Sequence, residues 1–335
     1  MSDDTVDPPM AGLAPPREST SVVGHDDAIA RIESSWRSGR MHHAIMLTGR
    51  RGIGKATLAY AIARMVLERG TSLAGASVGT AQRQIAQGAA QQFRRLARSV
   101  TREGKLRSVI TVDDVRALEP FLRQRAERDA WRVVLVDAVD DMNGSSANAL
   151  LKVLEEPGER TLFLLVVHHD GAILPTIRSR CLTYRLQPLT DPQMRAVLEP
   201  STLDPGRLDR AIGLADGSAR RALALAEKGG IETVEGVARV LDKPVWAAGD
   251  AQLLADGAGG RDGEPVFEEI AVTLPDILAK RALELARSGD LGRAKRLSEL
   301  GGTVAASIRQ RDEYGVDRRL VVRSALSEAH RVLHE

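Results

Sequence analysis

The sequence predicts an α/β chain: a doubly wound parallel sheet with helices on both faces, followed by a segment of helices alone. Three observations carry this. Short apolar runs alternate with amphipathic helical stretches as far as about residue 188, and that alternation is the pattern of βαβ units. From about Thr190 onward the apolar residues recur only at helical spacing. Aromatic residues make up only 3% of the chain, so the core is built from Leu, Ile, Val and Ala, which suits helical and α/β layers better than an all-β sandwich.

With 335 residues, the chain is long enough for two or three domains. The 47 basic and 45 acidic residues leave a net charge of +2, too balanced for bulk neutralisation of nucleic acid by the chain alone. The basic residues are nevertheless crowded, with eleven Lys or Arg against six acids between Gln91 and Arg132. Two readings of that crowding stand: solvated helix faces, or a surface for DNA phosphates or an acidic partner. The single cysteine, Cys181, excludes an intramolecular disulfide and a cysteine-ligated zinc site. No apolar run approaches the roughly 18 residues of a membrane span. The acidic, proline-rich start "MSDDTVDPPMAGLAPPREST" has neither the basic region nor the apolar stretch of a secretory signal and reads as a disordered lead-in of a cytoplasmic protein, residues 1–20.

After the lead-in, "DDAIARIESSWRSG" sets Ile29, Ile32 and Trp36 on one side of a helix, with Asp26 or Asp27 near its start. "HAIMLT" is a buried strand running into "GRRGIGK", after which Leu58, Ile62, Met65 and Val66 recur at helical spacing. Residues 70–105 are rich in Ala, Gln, Gly and Arg, and read as a loop with a helix through "AQRQIAQGAAQQFRRLAR". "VDDVRALEPFLRQRA" reads as one helix capped by Asp113 or Asp114. "RVVLVDAVDDM" is a second buried strand ending in acids. The helix in "SSANALLKVLEEPG" turns Ala147, Leu150, Leu151 and Leu154 inward and is stopped by Pro157. "RTLFLLVVHHD" is a third strand, and "ILPTIRSRCLTYRL" a turn followed by a short strand. Three short helices, "DPQMRAVL", "PGRLDRAIGLADG" and "SARRALALAEKGG", precede longer ones over 231–241, about 264–288, 290–300 and 318–334. Phe267, Ile270, Leu274, Ile277 and Leu278 form one apolar stripe, and the glycine-rich 255–265 reads as a loop.

Gly49, Gly54 and Lys55 match G-x-x-x-x-G-K, with Gly52 inside the loop. Such glycines let successive backbone N–H groups turn toward phosphate oxygens, the helix start adds its positive end, and the lysine reaches the terminal phosphates. The order strand, glycine loop, helix supports the reading. A loop competent for catalysis carries Ser or Thr next, whose hydroxyl ligates Mg²⁺. Here the residue is Ala56. Thr57 lies about 100° further round the helix and reads as a packing or helix-start residue of the nucleotide site. The second strand ends in Asp137, a carboxylate placed to hold Mg²⁺ through water, but the residue after it is Ala138 rather than an acid that activates water. Asp140 and Asp141 read as the start or cap of the next helix. ATP or ADP is thus the expected ligand, and Mg²⁺ ligation is compromised by Ala56.

Arg180, in "IRSRC", stands before a strand where a guanidinium can stabilise a neighbour's phosphate, or simply form an ion pair within its own domain. Arg220, in "GSARRAL", is placed to reach nucleotide phosphates, and Arg221 beside it leaves the choice between the two open. His168 and His169, adjacent at a strand end, point to opposite faces and make a poor metal pair; no metal site is expected. His42 and His43 read as surface residues before a strand, and Cys181 as packing.

"HAIMLTGRRGIGKATLA", "VVLVDAVDDMN", "ANALLKVLEEP" and "LPTIRSRC", in this order, resemble the clamp-loader subunits of the AAA+ class, and among them the delta-prime type of bacterial DNA polymerase III. The resemblance covers about residues 20–230. It implies a RecA-like P-loop AAA+ domain over 21–188, a helical lid over 189–230 and a helical collar for oligomerisation over 231–335. It also implies gamma/tau- and delta-type partner subunits, a sliding clamp, and primed DNA reached through the complex, with no membrane association. Arg180 would be an arginine finger acting in trans, and Arg220 the second sensor arginine. Delta-prime-type subunits are stators with weak or no ATPase activity, which agrees with Ala56 and Ala138. The chain departs from the family in having no four-cysteine zinc module and in carrying His168 and His169 where a polar sensor, Thr or Asn, is common. A hydrolysing clamp-loader motor, or a stand-alone P-loop ATPase of repair or helicase loading, are the rival expectations.

Overall fold

The computed structural model describes residues 13–73, 79–101, 106–123, 130–169, 171, 173–227, 229–260, 262–314 and 317–335, with the side chains of 305–314 outside that description. The chain divides into two compact units. One contains residues up to Asp204 together with Ala215–Leu223; the other contains Pro205–Leu214 and Ala224–Glu335.

The first unit is built on five parallel strands, β1 (Ala44–Thr48), β2 (Phe93–Leu96), β3 (Arg132–Asp137), β4 (Thr161–Val167) and β5 (Leu182–Arg185), in the order β2-β3-β4-β1-β5. Every residue of β1 and β4 is buried. Such strands, covered on both faces, read as unbroken apolar runs, which is why they were legible in the sequence. Their register, Ala44 opposite Phe163 through Thr48 opposite Val167, puts β4 between the strand that feeds the glycine loop and the strand that ends in Asp137. Successive side chains alternate between faces. Leu47, Val133, Leu135 and Leu164 pack into one layer with α1 (Asp26–Arg37) and α2 (Lys55–Glu68). Met46, Val134, Val136 and Leu165 pack into the other with α4 (Val112–Arg116), α5 (Glu119–Arg123) and α6 (Gly144–Glu155). The doubly wound arrangement is therefore as expected. Trp36 and Trp131 meet edge to face in the first layer, 5.1 Å between ring centres.

Three local expectations are corrected. The single helix through 81–98 is instead α3 (Thr80–Ala86) followed by β2 at the sheet edge. Phe93 packs on the first layer while Leu96 joins the second, so "FRRL" alternates as a strand does. The single helix from Val112 is two short ones, and its cap is Thr111, which accepts from the Asp114 N–H while the Asp114 carboxylate accepts from the Thr111 N–H. That reciprocal pair satisfies two amide donors at once. Residues 124–129, the remainder of the expected helix, lie outside the described residues. Within the expected lead-in, Pro15 accepts from the N–H groups of Glu18 and Ser19 to close a turn. Gln82 Nε2 on α3 donates to the carbonyls of Arg17 and Glu18.

α7 (Pro175–Arg178) and α8 (Asp191–Leu198) complete the first unit with the first turn of α10 (Ala219–Glu227). The second unit holds α9 (Pro205–Leu214), the rest of α10, α11 (Gly230–Asp242), α12 (Ala248–Ala258), α13 (Glu264–Arg287), α14 (Leu291–Tyr314) and α15 (Arg318–His334). Its core joins Val237, Ala255, Phe267, Ile270, Leu274, Leu278, Leu297 and Leu326. The apolar stripe of α13 is buried as its spacing predicts, with Ile277 half-buried at its margin. The loop expected over 255–265 is shorter, because 255–258 are the last turn of α12, a helix the sequence did not announce. Trp246 lies 5.4 Å from His330 in this unit.

Candidate functional site

The chain leaves β1 at Thr48, loops through Gly49–Gly54 and enters α2 at Lys55. Gly49, Gly52 and Gly54 hold φ of +144°, +80° and +100°, values that residues with a side chain avoid. Crowding reinforces the requirement. A Cβ on Gly49 would lie 2.7 Å from the Leu186 carbonyl oxygen, and one on Gly52 would collide with Ser218 Oγ and lie 2.8 Å from Arg220 Cβ. No side chain caps the start of α2. The first N–H groups of a helix without such a cap, together with the helix dipole, favour an anion there. Lys55 is only 2% exposed, and its Nζ donates to the carbonyls of Gly49 and Arg50 at 2.5 Å each.

This loop opens on a cleft of about 460 Å³ that lies wholly within the first unit. Gly52, Gly54, Lys55, Thr57, Asp137 and Arg220 all line it, so six of the positions read from the sequence converge. Gly49 stands behind the loop rather than in the lining. Arg220 faces the cleft, whereas Arg221 turns toward Asp216 at 3.9 Å. The turn at 15–19 and the segment up to Val23 form a further wall.

The end of β3 differs from a metal-binding strand end. Asp137 Oδ2 is ion-paired with Arg95 Nη2 at 2.9 Å, and the two side chains are only 11% and 9% exposed. Asp141 pairs with Arg98 at 3.2 Å, and burial pushes its carboxyl up against that positive charge. Ala56 and Ala138 add methyl groups to the lining where a hydroxyl and an acid are needed. Ala56 has no oxygen to offer a metal and Asp137 is already held by a guanidinium, so these residues do not fit the Mg²⁺ site of a hydrolysing P-loop. Sequence reasoning missed Arg95 and Arg98 because it placed them on a helix. The available signal was the pair of apolar residues three apart in "FRRL", which a strand turns to opposite faces.

Asp140 neither starts nor caps α6, whose cap is Asn143 through Ser146 N–H at 2.9 Å. It instead accepts from the backbone N–H groups of His168 and His169, at 2.6 and 2.7 Å, and so fastens the end of β4. Burial pushes its carboxyl up, but these bonds and the His169 ring outweigh it and hold it down at about 2. His168 lines the cleft with Nδ1 buried and lacking a hydrogen-bond partner. Burial, and then the positive charge of Lys55, lower its pKa to about 4, so the ring is neutral. His169 is largely exposed and is pushed the other way by its hydrogen bond to Asp140. Among the described residues no group of three or more His, Cys, Asp or Glu is placed to hold a metal ion.

Arg180 lies away from the cleft, beyond α7. It donates to the Thr176 carbonyl at 3.0 Å and pairs with Glu155 at 2.6 Å, the intradomain ion pair that the sequence left open. Among the described residues of the basic stretch, four make internal contacts: Arg95 and Arg98 in the cleft, Arg94 over the Phe121 ring at 4.8 Å, and Arg132 buried and donating to Leu122 O. Arg116 and Arg123 are solvated beside Asp113 and Glu119. His42 and His43 are stacked and half-buried rather than on the surface. Cys181 packs against the second layer, and burial pushes its thiol up to about 11.

The family described as "DNA polymerase III, delta subunit" matches residues 24–190, a range that includes the glycine loop, Lys55, Arg95, Asp137, His168 and Arg180 but not Arg220. The delta-prime subunit of DNA polymerase III from Pseudomonas aeruginosa is 33% identical over 218 residues, 62% of this chain and 63% of that protein. The tau subunit from Escherichia coli is 31% identical over 220 residues, 64% of this chain and 33% of that protein. The alignments thus span between a third and somewhat under two thirds of these relatives' lengths. The solved gamma-subunit-related protein of Thermotoga maritima superposes with a TM-score of 0.41 at 16% identity, over 90% of this chain and 99% of that one. Over residues 24–190 the chain belongs to the clamp-loader-type subunits of DNA polymerase III and is most like delta-prime.

Proposed function

We propose that the chain is a stator-like, delta-prime-type subunit that helps load the sliding clamp onto primed DNA. It holds ATP or ADP as a structural ligand and hydrolyses it weakly or not at all. The carrying observation is a phosphate loop with its glycines and lysine in place, facing a strand end where Ala56, Ala138 and the Arg95-bound Asp137 stand in the hydrolytic positions. In this reading residues 21–188 are the nucleotide domain, 189–230 the lid and 231–335 the collar. The partners are gamma/tau- and delta-type subunits in the cytoplasm. Arg180 leaves Glu155 to serve as the finger of a neighbouring motor subunit, and Arg220 senses the chain's own nucleotide.

The test is reconstitution with motor subunits, comparing wild type with Arg180→Ala. The ATPase rate of the assembled complex should fall about tenfold or more with assembly intact. An unchanged rate in the assembled complex removes the finger, and robust turnover by the purified chain alone removes the stator.

A further inference from the structure

We propose that the cleft binds its nucleotide without a divalent cation, the Arg95 guanidinium doing at Asp137 what a metal does elsewhere. This rests on the reading of the cleft as a nucleotide site and adds its mode of recognition. A divalent ion at a phosphate loop has two electrostatic tasks. It neutralises phosphate oxygens, and it screens them from the carboxylate at the neighbouring strand end. The second task is already done here. Asp137 is ion-paired with Arg95 at 2.9 Å, with both side chains about nine-tenths buried, and Asp141 with Arg98 at 3.2 Å. No uncovered acid of the β3 end is left to repel a phosphate.

The first task has donors as well. Arg51, Lys55 and Arg220 line the same cleft, and Glu18 is its one lining carboxylate outside those two pairs among the described residues. His168, neutral and with Nδ1 unpartnered, adds a polar atom at the end of β4. A metal, by contrast, meets an obstacle at each point where it would be held. Residue 56 has no hydroxyl, and to reach Asp137 the ion must displace a guanidinium whose charge would then lie buried beside it. Uncovering a buried charge in that way is unfavourable. The site therefore takes metal-free nucleoside triphosphate or diphosphate at least as well as the magnesium complex.

The experiment is equilibrium titration of the full chain with ATP and with ADP, in excess EDTA and in excess Mg²⁺. Equal affinity within about twofold, or tighter binding in EDTA, is the expected result; a tenfold scale is the resolution that matters. Binding at least about tenfold tighter with Mg²⁺ overturns this proposal while leaving the nucleotide reading intact. Failure to bind in either condition overturns both. Arg95→Ala supplies an independent arm. With Asp137 uncovered, binding in EDTA should weaken by about tenfold and Mg²⁺ should restore part of it. A variant with the wild-type response to EDTA and Mg²⁺ removes Arg95 from the role. If Arg95→Ala does not fold, Arg95→Lys, which keeps the charge, together with the wild-type comparison decides the matter.

Discussion

His168 and Asp140 tie the end of β4 to protonation. The His168 ring is held neutral down to about 4, against an ordinary value of 6.5, so between those values the unfolded chain binds the extra proton and the folded one does not. Stability must then rise with pH across that window and be lost as pH falls through it. The depressed Asp140 works in a lower range. Its contribution is complete above the ordinary 3.8 and is lost as pH falls toward 2. Thermal unfolding of wild type and His168→Gln between pH 7 and pH 4 checks the first effect, and the variant should lose visibly less Tm on acidification (about 6.5 to 4 being the active window). Equal slopes would mean that His168 is not the titrating group. Much of the site was legible at this scale. Gly49, Gly52, Gly54 and Lys55 are demanded by backbone geometry that few residues satisfy, and such demands leave a fixed spacing in sequence. Arg95 was not legible, because its meaning depends on which strand lies beside it.

Elements differ in how much of their cause is local. β1, β3 and β4 announce themselves because both faces are covered. β2, at the sheet edge, carries two arginines in four residues, and only Phe93 and Leu96 of its four side chains join the apolar layers. α12, "AGDAQLLADGA", has Gly and Asp at intervals that mimic a loop, and it is helical because Ala251, Ala255 and Ala258 fit into the second unit's core. Asp140 again depends on context, since its partners lie 28 and 29 residues away. Asp140→Ala would leave the N–H groups of His168 and His169 without their acceptor. The expected loss is about 1–3 kcal/mol, set by the part-buried His168 donor since the His169 donor is exposed, and urea unfolding checks it. A loss well below 1 kcal/mol would mean that water replaces the carboxylate. Nucleotide affinity should fall with it, because His168 lines the cleft.

At the scale of the molecule, the apolar layers of the first unit and the helical core of the second share no residue. A cavity in one is therefore expected to act on that unit. Leu278, fully buried on α13, is a suitable position. Leu278→Ala should cost about 2–5 kcal/mol. Amide exchange should quicken in α11–α15, while the protection of β1 and β4 and the affinity for nucleotide stay as they were. Loss of β1 protection would show a coupling that the separate cores do not supply. The change from alternating strands to helices at residue 190 was legible in the pattern of apolar residues, but not that 205–214 groups with the later helices and 215–223 with the sheet. Such grouping is decided by which faces find each other, which periodicity does not encode.

The three indoles of the chain are distributed in step with this division. Trp36 and Trp131 touch each other in the first unit, and Trp246 stands beside an imidazole in the second. The protein thus carries its own pair of optical reporters. Replacing Trp246 leaves an emission that belongs to the sheet unit, replacing the other two leaves one that belongs to the helical unit, and each can be followed in real time without an attached dye.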